Sequence, residues 1–411
     1  MESLPPDFLS SLDSAVSSLI KQLFNQGKTT NEILKLTGSL LVDKVAGSYK
    51  DIAPDFTTPD AEMLARLTRD VWQFSAAKNY QQMRDLAIAL KGDDGKLRNF
   101  ADFKTAAESI CAKYDQVWLR TEYNAAVASS QNAARWTDFM KDAENIPNIE
   151  YQTVGDTSVR DEHQALDGII RPLKDPFWST HYPPNGWGCR CEAIQSVGGK
   201  VTKNADVPNI TIPPLFRTNL ADTGLIYPKN HPYYDGIPRA EIRKAIAWLP
   251  PENTYLTVNI GKDKTIDIHP LHGEGELSKN IEACKTLLNH DPGAKLKLMP
   301  ILNEVDIKNK LKYFPKSYIE KYGNKSADLL YNGQLYEFES PSGSLSSIRH
   351  AVSGGMAQSD KVIIHIPDNV DIEEAYQVIN GHIMKHYSDV DKNLWLMNNK
   401  ELRPYLKQKR H

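Results

Sequence analysis

Residues 151–191 read YQTVGDTSVRDEHQALDGIIRPLKDPFWSTHYPPNGWGCRC, and this stretch decides how the rest of the chain is read. It holds His163, the acids Asp156, Asp161, Asp167 and Asp175, the tryptophans Trp178 and Trp187, a Pro183-Pro184 pair and a Cys189-Arg190-Cys191 step. So many turn formers exclude a single helix. So many aromatic and sulfur-bearing residues argue against a linker. Pro183-Pro184-Asn185-Gly186 specifies a loop with restricted φ. Ile149 to Val154 reads as a strand. Val159 to Leu166 reads as a short helix with Ser158 as its N-cap.

His163, Cys189 and Cys191 are donor types that zinc takes, with Asp156 or Asp167 as a fourth ligand. The competing reading makes the cysteines small buried hydrophobes and pairs His163 with a carboxylate. Arg190 is expected to pair with Asp156, Asp161 or Asp167. No nucleophile–base pair stands out in this stretch.

Upstream, residues 1–145 show apolar positions recurring every three and four residues, which predicts helices. Gly92-Asp93-Asp94-Gly95 interrupts them, one helix is expected over Phe100 to Trp118, and the next follows directly. Trp72, Trp118 and Trp136 fall at helical spacing and are expected to anchor the core. Downstream, residues 194–250 are rich in Pro, Gly and Asn. From 254 a new unit begins, with strand-like TYLTVNI and TIDIHPL joined by Gly261-Lys262-Asp263-Lys264. Strands and helices then alternate to the end, an α+β pattern. The expected domains are therefore 1–145 helical, 146–235 an irregular α+β core, 236–253 a linker and 254–411 a second α+β unit.

With 411 residues, more than one core is expected. The net charge of -3 gives no global nucleic-acid signature, so any basic binding surface has to be local. No apolar run approaches the ~20 residues of a membrane span, and the acidic start MESLPPDF lacks the basic n-region of a secretory signal. Four cysteines in a chain of this length exclude a disulfide scaffold; Cys111 and Cys284 are expected as buried thiols.

The central stretch resembles the phage Mu protein F family of minor head proteins. The matching residues are Thr153-x-x-Asp156, Val159-Arg160, His163, Leu166-Asp167-Gly168, Asp175-Pro176-Phe177-Trp178, Tyr182-Pro183-Pro184-Asn185 and Trp187-Gly188-Cys189-Arg190-Cys191. The resemblance extends over roughly residues 60 to 235. It implies a structural part in head morphogenesis, portal and capsid proteins as partners, and a place in the virion, inside the head near the portal.

The last unit is similar to the barnase, EndoU, colicin and RelE-like nuclease superfamily of phages, and to the tRNA nuclease domains of contact-dependent inhibition toxins. Ala327-Asp328-Leu329-Leu330, Asn332-Gly333, Glu337-x-Glu339, Ser347-Ile348, Met356-Ala357-Gln358 and the strand Val362 to Ile366 carry the likeness, with His269, His272, Glu276 and Asn280 upstream. It implies a barnase/RelE-like fold and metal-independent cleavage of tRNA or other RNA in the host cytoplasm, with an immunity protein as a further partner and no cofactor. Glu337 or His350 would be base or acid, Arg349 the phosphate clamp, and Asp328, Glu339 and Ser347 members of the site. Lys295, Lys297 and Gln358 would bind RNA. Relatives commonly carry Lys where this chain has Glu339. Two alternatives stay open: a Mg²⁺-dependent, restriction-like nuclease, whose acid pattern Asp328…Glu337-x-Glu339 mimics, and a purely structural head protein with an inactive last domain.

Overall fold

The computed structural model describes residues 2–53, 56–261, 263–303, 305–387 and 393–405. It divides into two compact units, one of residues 1–55 and 63–249, the other of residues 56–62 and 250–411.

The first unit begins with long helices: α1 (Pro6–Gln26), α2 (Glu32–Ile52), α3 (Thr58–Ile88, from residue 63 onward in this unit), α4 (Phe100–Ala112) and α5 (Leu119–Lys141). Asn99 caps α4 by accepting from the Asp102 amide at 3.0 Å. The helix expected over Phe100 to Trp118 changes character partway: Lys113–Trp118 is a π-helical stretch. It carries Asp115 inward, where Gln82 Nε2 donates to Oδ2 at 2.6 Å. A buried carboxylate with such a donor is a local reason to widen the helix there. Leu12, Leu19 and Leu23 of α1, Met83 and Leu86 of α3, and Phe103 and Ala107 of α4 form one apolar core. Trp72 and Trp136 are buried as expected, whereas Trp118 is only partly covered.

The irregular core follows in the same unit. Its elements are β1 (Asn148–Gln152), α6 (Asp161–Gln164), β2 (Ile170–Pro172), α7 (Trp178–His181), β3 (Glu192–Gln195) and α8 (Leu220–Thr223). The strands make a sheet ordered β2-β1-β3, antiparallel throughout. The short helix is tighter than the expected 159–166. Its N-cap residue is Arg160 rather than Ser158, and no side chain caps it. The unit closes with α9 (Arg239–Trp248).

The second unit holds α10 (Pro251–Thr254), β4 (Leu256–Gly261), β5 (Lys264–Ile268), α11 (Leu277–His290), β6 (Leu296–Leu298), α12 (Ile307–Lys310), α13 (Lys316–Tyr322), β7 (Leu329–Tyr331), β8 (Gln334–Glu339), α14 (Leu345–Met356), β9 (Lys361–His365), α15 (Ile372–His386), β10 (Asn393–Met397) and β11 (Leu402–Pro404). The eight strands lie side by side in chain order. Pairs β5-β6, β8-β9 and β9-β10 are parallel, the others antiparallel. Each parallel step is bridged by a helix, α11, α14 and α15 in turn, because parallel neighbours need a crossover. The tight hairpin β7-β8 turns on Asn332 (φ 47°) and Gly333 (φ 81°), both in the left-handed region that Asn-Gly tolerates. Ile348, Val352 and Met356 of α14 and Ile379 and Ile383 of α15 pack with Val362 and Ile364 of β9 and Leu394 and Leu396 of β10. Strand β11 was not expected; the basic end LRPYLKQKRH starts with it, and its residues 406–411 lie outside the described residues.

Candidate functional sites

The first site sits where the central stretch folds back on itself. Strand β1 pairs with β3, Tyr151 opposite Ala193. The single helical turn of α6 turns His163 inward, and the loop ahead of β3 brings Cys189 and Cys191 to it. Gly188, at φ 69°, makes the bend that only Gly adopts freely. The loop is tied down by polar contacts. Tyr151 Oη donates to Asn185 Oδ1 at 2.9 Å, Tyr182 Oη to the Asn132 carbonyl at 2.7 Å, and Asn132 Nδ2 to the Cys191 carbonyl at 3.3 Å. The result is a buried triad in which Nδ1 of His163 lies 3.6 Å from Sγ of both cysteines. All three donor atoms fall within 4.8 Å of one another, and no other His, Cys, Asp or Glu group among the described residues does so.

Hydrogen bonds from Cys191 and His163 hold the Cys189 thiol well below its usual range. The hydrogen bond to Cys189, then burial, pushes Cys191 the other way. Two thiols this close share one negative charge more readily than they carry two. His163 meets sulfur, not a carboxylate. Asp156, the expected fourth ligand, stands apart: Arg190 grips it through Nη1 at 2.6 Å and Nη2 at 2.8 Å on the surface. Asp167, the other choice, accepts the Thr153 amide at 2.6 Å and hydroxyl at 2.8 Å through Oδ1. Cys189 and Cys191 also line a cavity of about 400 Å³ with Asn132, Arg135 and Glu192.

The second site is a set of carboxyls in the eight-stranded sheet. Asp328 immediately precedes β7, rather than lying on it, and Glu337 and Glu339 share a face of β8. The hairpin sets the two strands side by side, so the Phe338 amide donates to Asp328 Oδ2 at 3.3 Å. Gln358 Nε2 donates to Glu337 Oε1 at 2.7 Å, while Glu337 Oε2 is buried with no hydrogen-bond partner. Burial, reinforced by Glu276 at the head of α11, raises Asp328 strongly. Burial and the charge of Asp328 raise Glu337 further still. Burial and Glu276 push Glu339 up to about 7. Glu337 is therefore far from a solvated surface acid.

The remaining expected residues fall elsewhere. Gln358 acts as the clamp on Glu337. Ser347 closes the N-cap of α14, its amide donating to Ser344 Oγ at 3.1 Å and its hydroxyl to the Ser344 carbonyl at 2.7 Å. Arg349 and His350 are exposed on α14. Burial, then the charges of His386, Arg349, His350 and Lys385, lowers the pKa of His382, whose Nε2 lies 2.9 Å from Ser353 Oγ. Lys297 is paired with Asp267 at 2.7 Å and lies over the Tyr255 ring, while Lys295 is exposed immediately before β6. His269 and His272 are buried and serve the scaffold: His269 Nε2 lies 3.1 Å from Tyr313 Oη, and His272 bridges the Met299 carbonyl and Asn280.

A third feature escaped sequence reasoning. Lys78 and Glu122 form an ion pair at 2.5 Å with both side chains almost fully buried. Tyr233 Oη donates to the same carboxylate at 2.9 Å. Beside them lies a cavity of about 360 Å³ lined by Trp118, Glu122, Trp187, His231 and Tyr233.

Comparison with known proteins now defines the class of the central region. Residues 72–194 match the family model of phage Mu protein F like protein. The chain therefore carries a Mu F-like region that includes the second half of α3, all of α4 and α5, and the His–Cys–Cys triad; residues 60–71 and 195–235, over which the resemblance was expected to extend, lie beyond the matched range. Two curated relatives match the chain. The putative capsid assembly protein F of Escherichia phage Mu is 41% identical over 73 residues, 18% of this chain and 17% of its own. The Mu-like prophage FluMu F protein of Haemophilus influenzae is 38% identical over 93 residues, 21% of this chain and 22% of its own. The chain thus aligns with less than a quarter of the length of either relative. No solved structure matches the chain. Among the described residues, no helix is long and apolar enough to cross a membrane.

Proposed function

We propose that this protein is a minor head protein of a tailed phage or prophage, built into the virion beside portal and capsid proteins through its first unit. The Mu F-like match over residues 72–194 carries this reading. It is supported by the likeness to the phage Mu relative, which is named a putative capsid assembly protein. The test is particle composition. In a lysogen induced to make particles, the polypeptide should co-sediment with DNA-filled heads, and a deletion should lower infectious yield. Recovery of the polypeptide only in the soluble fraction would overturn the reading.

A second reading concerns the last unit, which we infer to be a nuclease. Its polar centre favours the metal-dependent alternative over metal-free RNA cleavage. Metal-free cleavage wants a cation beside the base to stabilise phosphate charge. Glu337 is instead raised first by burial and then by the carboxyls Asp328, Glu339 and Glu276. An all-oxygen, acidic donor set suits Mg²⁺ or Mn²⁺, which would polarise a phosphoryl oxygen and activate water. The acids are spread more widely than the His–Cys–Cys triad, so such an ion would draw further ligands from water and substrate phosphate. Gln358 orients Glu337, and Glu339, divided between acid and carboxylate near neutrality, can hold or pass a proton at its carboxyl oxygen.

Full-length protein is incubated with total tRNA and with single- and double-stranded DNA, in Mg²⁺, in Mn²⁺ and in chelator. Cleavage only with metal, lost in Glu337→Gln, supports this reading. Cleavage in chelator, lost in Arg349→Ala or His350→Ala, restores the metal-free ribonuclease and its need for an immunity protein in the host cytoplasm. No cleavage under any condition leaves a structural head protein with an inert last unit.

A further inference from the structure

We propose that His163, Cys189 and Cys191 bind one zinc-class divalent cation through Nδ1 and two thiolates, with the fourth position filled from solvent. The proposal is independent of the nuclease reading and does not depend on the head role.

Distance carries the argument. A tetrahedral zinc with Zn–S of about 2.3 Å and Zn–N of about 2.0–2.1 Å holds sulfur and nitrogen about 3.6 Å apart. Nδ1 of His163 stands 3.6 Å from Cys189 Sγ and 3.6 Å from Cys191 Sγ. Hydrogen bonding does not account for both contacts. Nδ1 of a neutral imidazole has either one N–H or one lone pair, so it serves one sulfur; the other is held only by sulfur contacts of its own, Cys191 to Cys189 and Tyr151, which do not require it to stand at the same distance from Nδ1. A cation at the centre of the three atoms explains both.

Burial agrees. All three residues are buried, and they come from different elements: α6 and the loop entering β3. Two free cysteines one residue apart, turned to the same side beside a histidine, would otherwise spend buried volume on weakly bonded polar atoms.

The fourth ligand is not supplied by the nearby acids. Asp156 is committed to Arg190, and Asp167 to Thr153. The cysteines border the cavity of about 400 Å³, from which water would reach the open position. The ion would tie α6 to the loop at 183–191 across a segment with little regular structure. Binding requires both sulfurs as thiolates, so it releases the proton the pair still shares and weakens as pH falls.

The experiment uses the full chain. Protein from zinc-supplemented medium, desalted, is analysed by mass spectrometry for metal content. One zinc per chain is expected, retained in Cys284→Ser and lost in Cys189→Ser/Cys191→Ser and in His163→Ala. Where a triad variant fails to fold, Co²⁺ exchanged into the wild-type protein decides. Sulfur-to-cobalt charge transfer at the strength of two thiolates, with the visible bands of a tetrahedral site, supports the assignment. Removing zinc with a chelator should lower the melting temperature of the first unit, and re-addition should restore it. Only trace zinc in the wild type, no cobalt–thiolate band and no chelator effect would overturn the proposal.

Discussion

Lys78 illustrates what a single buried charge does in this molecule. Its ammonium is covered together with Glu122, and Tyr233 completes the carboxylate. Removing one partner leaves the other charge uncompensated in the interior, which typically costs about 3–5 kcal/mol. Lys78→Met should therefore destabilise the first unit by roughly that amount in urea unfolding, and Lys78→Met with Glu122→Gln should recover part of it. The carboxyls of the second unit make an opposite kind of statement. Asp328, Glu337 and Glu339 all have folded pKa values above those of the unfolded chain. The native state thus holds more protons, and its stability falls as pH rises from the ordinary carboxylate range through about 7, where Glu339 ionises, and on above it for the more strongly raised Asp328 and Glu337. Melting temperatures across that range should decline for the wild type and decline less for Glu337→Gln. An unchanged slope in the variant would refute this account. The residue types at both places were visible in the chain, but their burial was not. Glu337-x-Glu339 on a strand resembles a solvated edge until Gln358 and Asp328 are seen around it.

At the scale of elements, local pattern and long-range fit separate cleanly. The helices α1 to α5 and the strand β9, centred on Val362-Ile363-Ile364, were legible because hydrophobic pattern is a local property. The π-helical turn at Lys113–Trp118 was not, because the polar partner of its buried Asp115 is Gln82, one helix away. Close packing leaves further marks. A methyl group at Gly38 of α2 would lie within 2.7 Å of Cε3 of the buried Trp72 ring, and closer still to Cζ3. Gly38→Ala should thus cost about 1–3 kcal/mol by overpacking, despite the better helix propensity of Ala. A lower urea midpoint with unchanged slope is the expected result. In the second unit Gly355 lets α14 lie against Val362 of β9 in the same way.

The whole molecule divides near residue 250, four residues before the point at which strand-like alternation announces a new unit. The helical part and the irregular core, which the composition separates at 145, fold into one unit, since α5 packs on both α2 and β3. Two cores imply two unfolding events. Calorimetry should resolve two transitions, with pH between 5 and 8 moving mainly the one that contains the carboxyls of β8. A single transition that moves as a whole would contradict this.

By itself, the order of amino acids determined the helical start, the Mu F-like stretch, the alternating second unit, and the grouping of His163 with Cys189 and Cys191. Those depend on spacing, composition and turn chemistry, which act between near neighbours. Tertiary structure alone decided that Asp156 goes to Arg190 and not to the sulfurs, that Gln358 clamps Glu337, and that Lys78 finds Glu122. Each is a choice among many chemically equivalent partners far apart along the chain. Only the packing of the elements, which excludes water from some charges and leaves others wet, makes that choice.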